Sequence, residues 1–134
     1  MISIPDEIKR EILTHAEEEY PDECCGILFG TDGPDIRSYV RMRNECVNDE
    51  KCRFFSIDPL KLYGYEKEYR VKGLEVLGFV HSHPDKKAVL SEGDERYMIP
   101  GMLYLIAGVK EGKCSEIRIW RKDQDGKTSE ETYK

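Results

Sequence analysis

Two histidines stand two residues apart, His81 and His83. After seven intervening residues comes Ser91, followed by Asp94 in a Ser-x-x-Asp pattern. Side chains alternate along extended backbone, so both imidazoles point to one side. Two imidazoles from one strand end can reach a single metal ion, and Asp94, in the first turn of a following helix, would be a third ligand. Three protein ligands with a fourth position open form the pattern of a catalytic zinc site, whose bound water titrates near ~7. Such a site needs a proton acceptor that is not a ligand. Glu23 is the candidate, because it stands at the start of the apolar run Cys24–Phe29, where a strand end can project a side chain into a cleft. Ser91 can donate a hydrogen bond to the oxygen that gains charge in acyl transfer.

The same residues have a plainer explanation. A histidine at a strand end is more often structural than a ligand, and Ser-x-x-Asp also reads as a helix cap. The cap is compatible with the chemistry. From these residues alone, a metal site and a capped helix beside two structural histidines both stand. The third histidine, His15, lies in the first helix, away from the motif. It reads as a surface or half-buried residue.

The chemistry requires a strand ending near His81 and a helix starting near Ser91. Leu74–Val80 reads as a central strand, 84–90 as a loop, and Ser91 as the cap of a short helix ending near Pro100. Upstream, Ile8, Ile12, Ala16 and Tyr20 recur every four residues and predict a helix over 6–20, opened by Pro5 and ended by Pro21. Cys24–Gly30 reads as a buried strand, and Thr31–Pro34 as a turn. Ile36–Met42 alternates, with Ile36, Val40 and Met42 expected on one face and Arg37, Arg41 and Arg43 on a wet face. Residues 44–57 are polar and irregular. Asp58-Pro59 opens a helix to about Lys72, stopped at Gly73. Met102–Val109, Ser115–Arg121 and a C-terminal edge segment complete the strands. This order predicts one domain over 1–134, of α+β (α/β-like) class, with a mixed β-sheet flanked by helices.

The chain has 134 residues, 39% hydrophobic and 36% charged, with net charge −6. No apolar run approaches the ~20 residues of a membrane helix. The N-terminus has no basic-then-apolar leader, so a cytoplasmic chain with no membrane partner is expected. Residues 1–23 hold eight acids against two bases, and the remainder is balanced. A broad basic face for nucleic acid is therefore not expected. Five cysteines without a C-x-x-C do not suggest a disulfide framework. Cys24 and Cys25 should face opposite sides of a strand and read as small buried hydrophobes. A thiolate at either position would be opposed by the adjacent Glu23. A zinc deaminase is set aside, because the H-x-E and P-C-x-x-C signature is absent.

The spaced motif resembles that of the JAMM metalloproteases of the MPN-domain family. The matching residues are His81, His83, Ser91 and Asp94 in H-x-H-x7-S-x-x-D, and Glu23 in Pro-Asp-Glu-Cys-Cys-Gly. Leu77–Val80 and Phe54–Pro59 are similar to the family as well, and the resemblance covers nearly the whole chain. It implies one zinc ion per chain, bound by His81, His83 and Asp94. Glu23 would be the general base and acid, and Ser91 would stabilise the oxyanion. The implied fold is a strongly curved mixed sheet between helices, an MPN/cytidine-deaminase-like sandwich. The implied reaction is cleavage of the amide bond after the C-terminal Gly-Gly of a ubiquitin-like or sulfur-carrier protein, releasing cysteine or a conjugated peptide. The short chain is similar to the small, stand-alone prokaryotic members. Leu90 departs from the proline that many members carry there, which alters the stiffness of the loop and leaves the ligands alone. Lys86-Lys87 could meet an acidic carrier, and a homo-oligomer is left open. The alternative is a catalytically silent MPN scaffold that binds protein partners. Scaffold members lose metal ligands, whereas all three and Glu23 are present here.

Overall fold

The structure is a computed structural model that describes residues 1–46 and 55–134. Phe54 and Cys52 lie outside the described residues. The elements run α1 (Asp6–Glu19), β1 (Cys25–Thr31), β2 (Asp35–Met42), α2 (Pro59–Val71), β3 (Glu75–Pro84), α3 (Glu92–Tyr97), β4 (Leu103–Lys110), β5 (Lys113–Lys122) and β6 (Thr128–Glu131). The strands form one mixed sheet in the order β2-β1-β3-β4-β5-β6. β3 and β4 run parallel, joined by the loop and short helix that carry Ser91 and Asp94. The other neighbouring pairs are antiparallel. Ile2 bridges to Tyr133 and Ser3 to Asp35. This short N-terminal segment thus ties the two edges of the sheet together, which requires the sheet to curl.

α1 follows the four-residue spacing of its apolar positions. Ile8 and Ile12 pack on Leu28, Tyr39, Val80, Leu105 and Ile119. One turn on, Ala16 meets Cys24, Ala107 and Val109. α2 covers the opposite face, where Leu62, Tyr65 and Tyr69 lie over Cys25, Ile27, Phe29, Val40 and Met42. Asp58 caps α2 by accepting from the Leu60 N–H at 2.9 Å, and Gly73 ends it with φ +79°. Cys24 and Cys25 pack in clusters on opposite faces, both buried, as their adjacency predicts. Among the described residues, no helix is long and apolar enough to cross a membrane.

Two local expectations need correction. Ile36 does not share a face with Val40 and Met42. Phe29 pairs with Ser38 and Gly30 with Ile36, so Arg37 is an extra residue in the ladder. A bulge of this kind inverts the alternation. Ile36 consequently joins Tyr39 under α1, while Val40 and Met42 lie under α2. Gly30 permits the close approach, since a Cβ there would sit 1.9 Å from the Asp35 carbonyl oxygen. Arg37, Arg41 and Arg43 are exposed as expected, and the Arg41 guanidinium lies 3.2 Å from Glu18 and 4.0 Å from Glu11, both on α1. Finally, His15 is buried, and its Nδ1 is hydrogen-bonded to the Tyr39 hydroxyl at 2.7 Å.

Candidate metal centre

β3 is longer than the apolar pattern indicates and carries both His81 and His83 within it. β1 and β4 flank it, with His81 opposite Cys25 on one side and Ile106 on the other, and His83 opposite Gly108. Alternation places both rings on the α2 face, two and four residues beyond Phe79 of the α2-side cluster. Ser82, between them, points the other way. Its Oγ accepts from the Cys24 N–H at 2.7 Å, and its own N–H donates to the Cys24 carbonyl. That pairing fixes the backbone next to Glu23, whose carboxyl is close enough to His83 and Asp94 to interact with both electrostatically.

Ser91 and Asp94 form a reciprocal capping box at the start of α3. The Asp94 N–H donates to Ser91 Oγ at 3.0 Å, and the Ser91 N–H donates to Asp94 Oδ2 at 2.9 Å. The box aims the carboxylate at the histidines. Asp94 Oδ1 lies 3.2 Å from His81 Nε2, and Oδ2 lies 3.1 Å from His83 Nε2. The two Nε2 atoms are 3.2 Å apart. The structure therefore brings His81, His83 and Asp94 together, with one ligand atom from each inside 4.8 Å of the others.

This donor set fits a divalent cation. His83 Nδ1 donates to the Lys87 carbonyl at 2.9 Å. That bond fixes the ring tautomer and leaves the Nε2 lone pair facing the Asp94 oxygens and the second imidazole nitrogen. Lone pairs converge there, so a cation or a proton must lie among them. Metal–ligand bonds of roughly 2.0–2.1 Å in a tetrahedron put neighbouring ligand atoms about 3.3 Å apart, close to the separations found. His81 is oriented differently. Phe55 stacks on its ring at 4.6 Å and 19°. Its Nδ1 is buried and has no hydrogen-bond partner among the described residues.

Electrostatics sort the four groups. Burial pushes His81 down, against the Asp94 hydrogen bond. Burial also pushes on His83, but its bonds to Asp94 and Lys87 and the nearby carboxylates outweigh it and leave His83 raised. Burial would raise Asp94, yet its bonds to the two histidines hold it well below the usual carboxylate range. Glu23 is buried and pushed up to about 7, chiefly by burial, with His83 pulling down and Asp94 pushing up. A carboxyl poised near neutrality can both take and give a proton. Ser91 is exposed at the rim. Its oxygen acts as an acceptor within the cap, so its hydroxyl hydrogen remains available to donate. Burial pushes the Cys24 and Cys25 thiols up to about 12, which leaves neither as a thiolate nucleophile.

Asn44 is part of this architecture and was not read from the sequence. It is buried, and its Nδ2 donates to the Glu23 carbonyl at 3.1 Å. Its Oδ1 accepts from the N–H groups of Cys46 and Ser56, both at 3.1 Å. One side chain thus ties the Glu23 backbone to the segment that presents Phe55. No local pattern marks it, because it lies in an irregular polar stretch. The Lys87 carbonyl was missed as well, since a backbone group carries no residue-type signal.

Residues 5–123 match a family model described as prokaryotic homologs of the JAB domain. A desampylase of Haloferax volcanii is 32% identical over 111 residues, covering 78% of each chain. The solution structure of a protein from Desulfitobacterium hafniense is similar over 99% of this chain and 91% of its own, at 30% identity and TM-score 0.84. The crystal structure of a JAB1/MPN domain protein from Archaeoglobus fulgidus shares the fold at 20% identity and TM-score 0.58, over 98% of this chain and 93% of its own.

Proposed function

We propose, on the premise that this chain belongs to the family of prokaryotic JAB-domain homologues, that it is a zinc-dependent hydrolase. Its substrate would be the amide bond after the C-terminal Gly-Gly of a ubiquitin-like or sulfur-carrier protein. The observation that carries the reading is the convergence of His81 Nε2, His83 Nε2 and the Asp94 carboxylate at 3.1–3.2 Å, with the buried Glu23 carboxyl coupled electrostatically to His83 and Asp94. The desampylase relative supports the substrate class.

His81, His83 and Asp94 would hold the ion, a set of two imidazoles and one carboxylate that suits zinc. Bound zinc supplies a Lewis acid and a water of lowered pKa. Glu23 removes the proton from the attacking water and passes it to the leaving amine. The hydroxyl ends on the scissile carbonyl carbon as the C–N bond breaks, giving a carboxylic acid and an amine. Burial prepares Glu23 for both halves of that transfer by holding its carboxyl near neutrality. Ser91 donates its hydroxyl hydrogen to the carbonyl oxygen as charge gathers there. The scaffold reading leaves the neutral-range carboxyl and the complete ligand set without a purpose.

The test is zinc content per chain, by elemental analysis of untagged protein purified without chelator, together with cleavage of a carrier fusion ending in Gly-Gly. About one zinc per chain, lost in His83→Ala, with cleavage after the second glycine, is expected. A chain that takes up no zinc at neutral pH, or a zinc-loaded chain that cleaves no such fusion, would refute the hydrolase.

A further inference from the structure

The loop between the ligand pair and α3 does not run freely to solvent. From His83 it crosses the α2 face of the sheet, over β4, to reach β5. Gly108, the β4 partner of His83, makes room for it. A Cβ at Gly108 would lie 3.1 Å from the Lys86 carbonyl oxygen and 3.2 Å from the Ala88 nitrogen. At the far side, two β5 residues grip Ala88. Its N–H donates to Glu116 Oε1 at 2.8 Å, and its carbonyl accepts from Trp120 Nε1 at 3.0 Å. Ala88 is fully buried under them. Glu116 and Trp120 point from the same face of β5, because Glu116 pairs with Gly108 and Trp120 with Tyr104.

The residue before Ala88 is Lys87, whose carbonyl accepts from His83 Nδ1. With both polar groups of Ala88 bound, the peptide linking it to Lys87 is held against rotation, and the direction of the Lys87 carbonyl is set. We propose that Glu116 and Trp120 are positioning residues for His83, acting through Ala88 and the Lys87 carbonyl to fix the tautomer and aim of its ring. The inference rests on the metal-site reading above and extends it to two residues outside the motif. Ring N–H groups anchored in this way preset a histidine for a metal, and loss of such a partner weakens binding by about 10–100-fold. The assignment also explains why a half-buried acid sits at a strand position alternating with apolar residues. Its Oε1 accepts from the Ala88 backbone N–H.

The experiment measures the zinc Kd by chelator competition, and the His83 tautomer by long-range proton–nitrogen NMR of the ring. Variants are Glu116→Gln, Glu116→Leu and Trp120→Phe, with Ile119→Val on the opposite face of β5 as a comparison for general loosening. Glu116→Gln keeps an acceptor and should bind zinc like the wild type. Glu116→Leu and Trp120→Phe should bind roughly ten- to a hundredfold more weakly, and the His83 ring should lose its single Nδ1–H form. Ile119→Val should change neither readout. Wild-type affinity and tautomer in both Glu116→Leu and Trp120→Phe would overturn the proposal, as would equal weakening by Glu116→Gln or Ile119→Val. If Glu116→Leu does not fold, Trp120→Phe decides alone, since it keeps a six-membered aromatic ring at that position and removes the indole N–H that donates to Ala88. A wild-type chain without zinc affinity overturns this inference together with the metal reading. A wild-type chain that binds zinc but cleaves no carrier refutes only the hydrolase, and the Kd comparison still decides the role of Glu116 and Trp120.

Discussion

The two faces of the sheet are finished differently, although one strand serves both. Beneath α1, Ile12, Leu28, Val80, Leu105 and Ile119 are all sealed from solvent. Polar groups on that side are matched in pairs, as with His15 and Tyr39, or Arg41 and Glu18. On the other face, α2 has no fully buried residue. The apolar cluster there includes Phe79, and beyond it β3 presents His81 and His83 under a loop and the short α3. Along β3, Val80 and Ser82 belong to the sealed side and His81 and His83 to the open one. The sealed face supplies stability and a rigid base. The α2 face packs Cys25, Ile27 and Phe29 as tightly, and beyond them holds buried polar side chains in place by directed hydrogen bonds, with Ser91 exposed at the rim.

If that division of labour is right, changes on the open face should remove chemistry and leave the fold intact. Changes on the sealed face should do the reverse. The largest effect expected is Glu23→Gln, which preserves shape and removes the proton carrier. Turnover of the Gly-Gly fusion should fall by about 10²–10⁴-fold with zinc content and Tm unchanged; a rate within a few-fold of wild type would remove Glu23 from its role. Ile12→Ala opens a cavity under α1 and should cost about 2–5 kcal/mol of stability, read by urea unfolding. Its zinc Kd should not move, and a parallel loss of affinity would mean that the two faces are not separable.

His15 tests the sealed face by pH. Burial, aided by Arg41, holds it down at about 4 against an ordinary 6.5, with Glu18 opposing. The native state thus keeps His15 neutral where the unfolded chain protonates it. Between about 6.5 and 4 the unfolded state binds more protons, so stability falls as pH falls through that window. This group alone should account for about 3 kcal/mol between pH 7 and 4. His15→Gln should unfold with a correspondingly flatter acid slope; identical slopes would place His15 in water. The smallest of these effects is expected for Ser91→Ala, about ten- to a thousandfold in turnover from a lost oxyanion donor. It also removes a cap worth about 1 kcal/mol. Unchanged turnover with lowered stability would reduce Ser91 to its capping function.

Much of this was legible beforehand. The helices and most strands fall where spacing, proline and glycine place them, because those signals act within a few residues. The histidine pair was readable because alternation along a strand is local, and Asp94 because a capping box is local too. Glu23 was singled out as an acid just ahead of a strand, and the fold buries it. What was misread or missed depends on partners distant in sequence. The face assigned to Ile36 failed at a bulge set by the neighbouring strand. His15 was misplaced because its burial depends on Tyr39, 24 residues away.

Residue types and short spacings alone order most of the elements and single out His81, His83 and Asp94 as ligand candidates, since torsional alternation and helix capping need nothing beyond neighbouring residues. Only the folded chain sets Glu23 beside the histidines, through a pairing between Cys24 and Ser82 that spans 58 residues. Only the folded chain makes Asn44, Glu116 and Trp120 hold the site, because each does so by binding backbone groups on remote segments. A backbone carbonyl or N–H has the same chemistry at nearly every position, and its usefulness is decided by where the fold puts it.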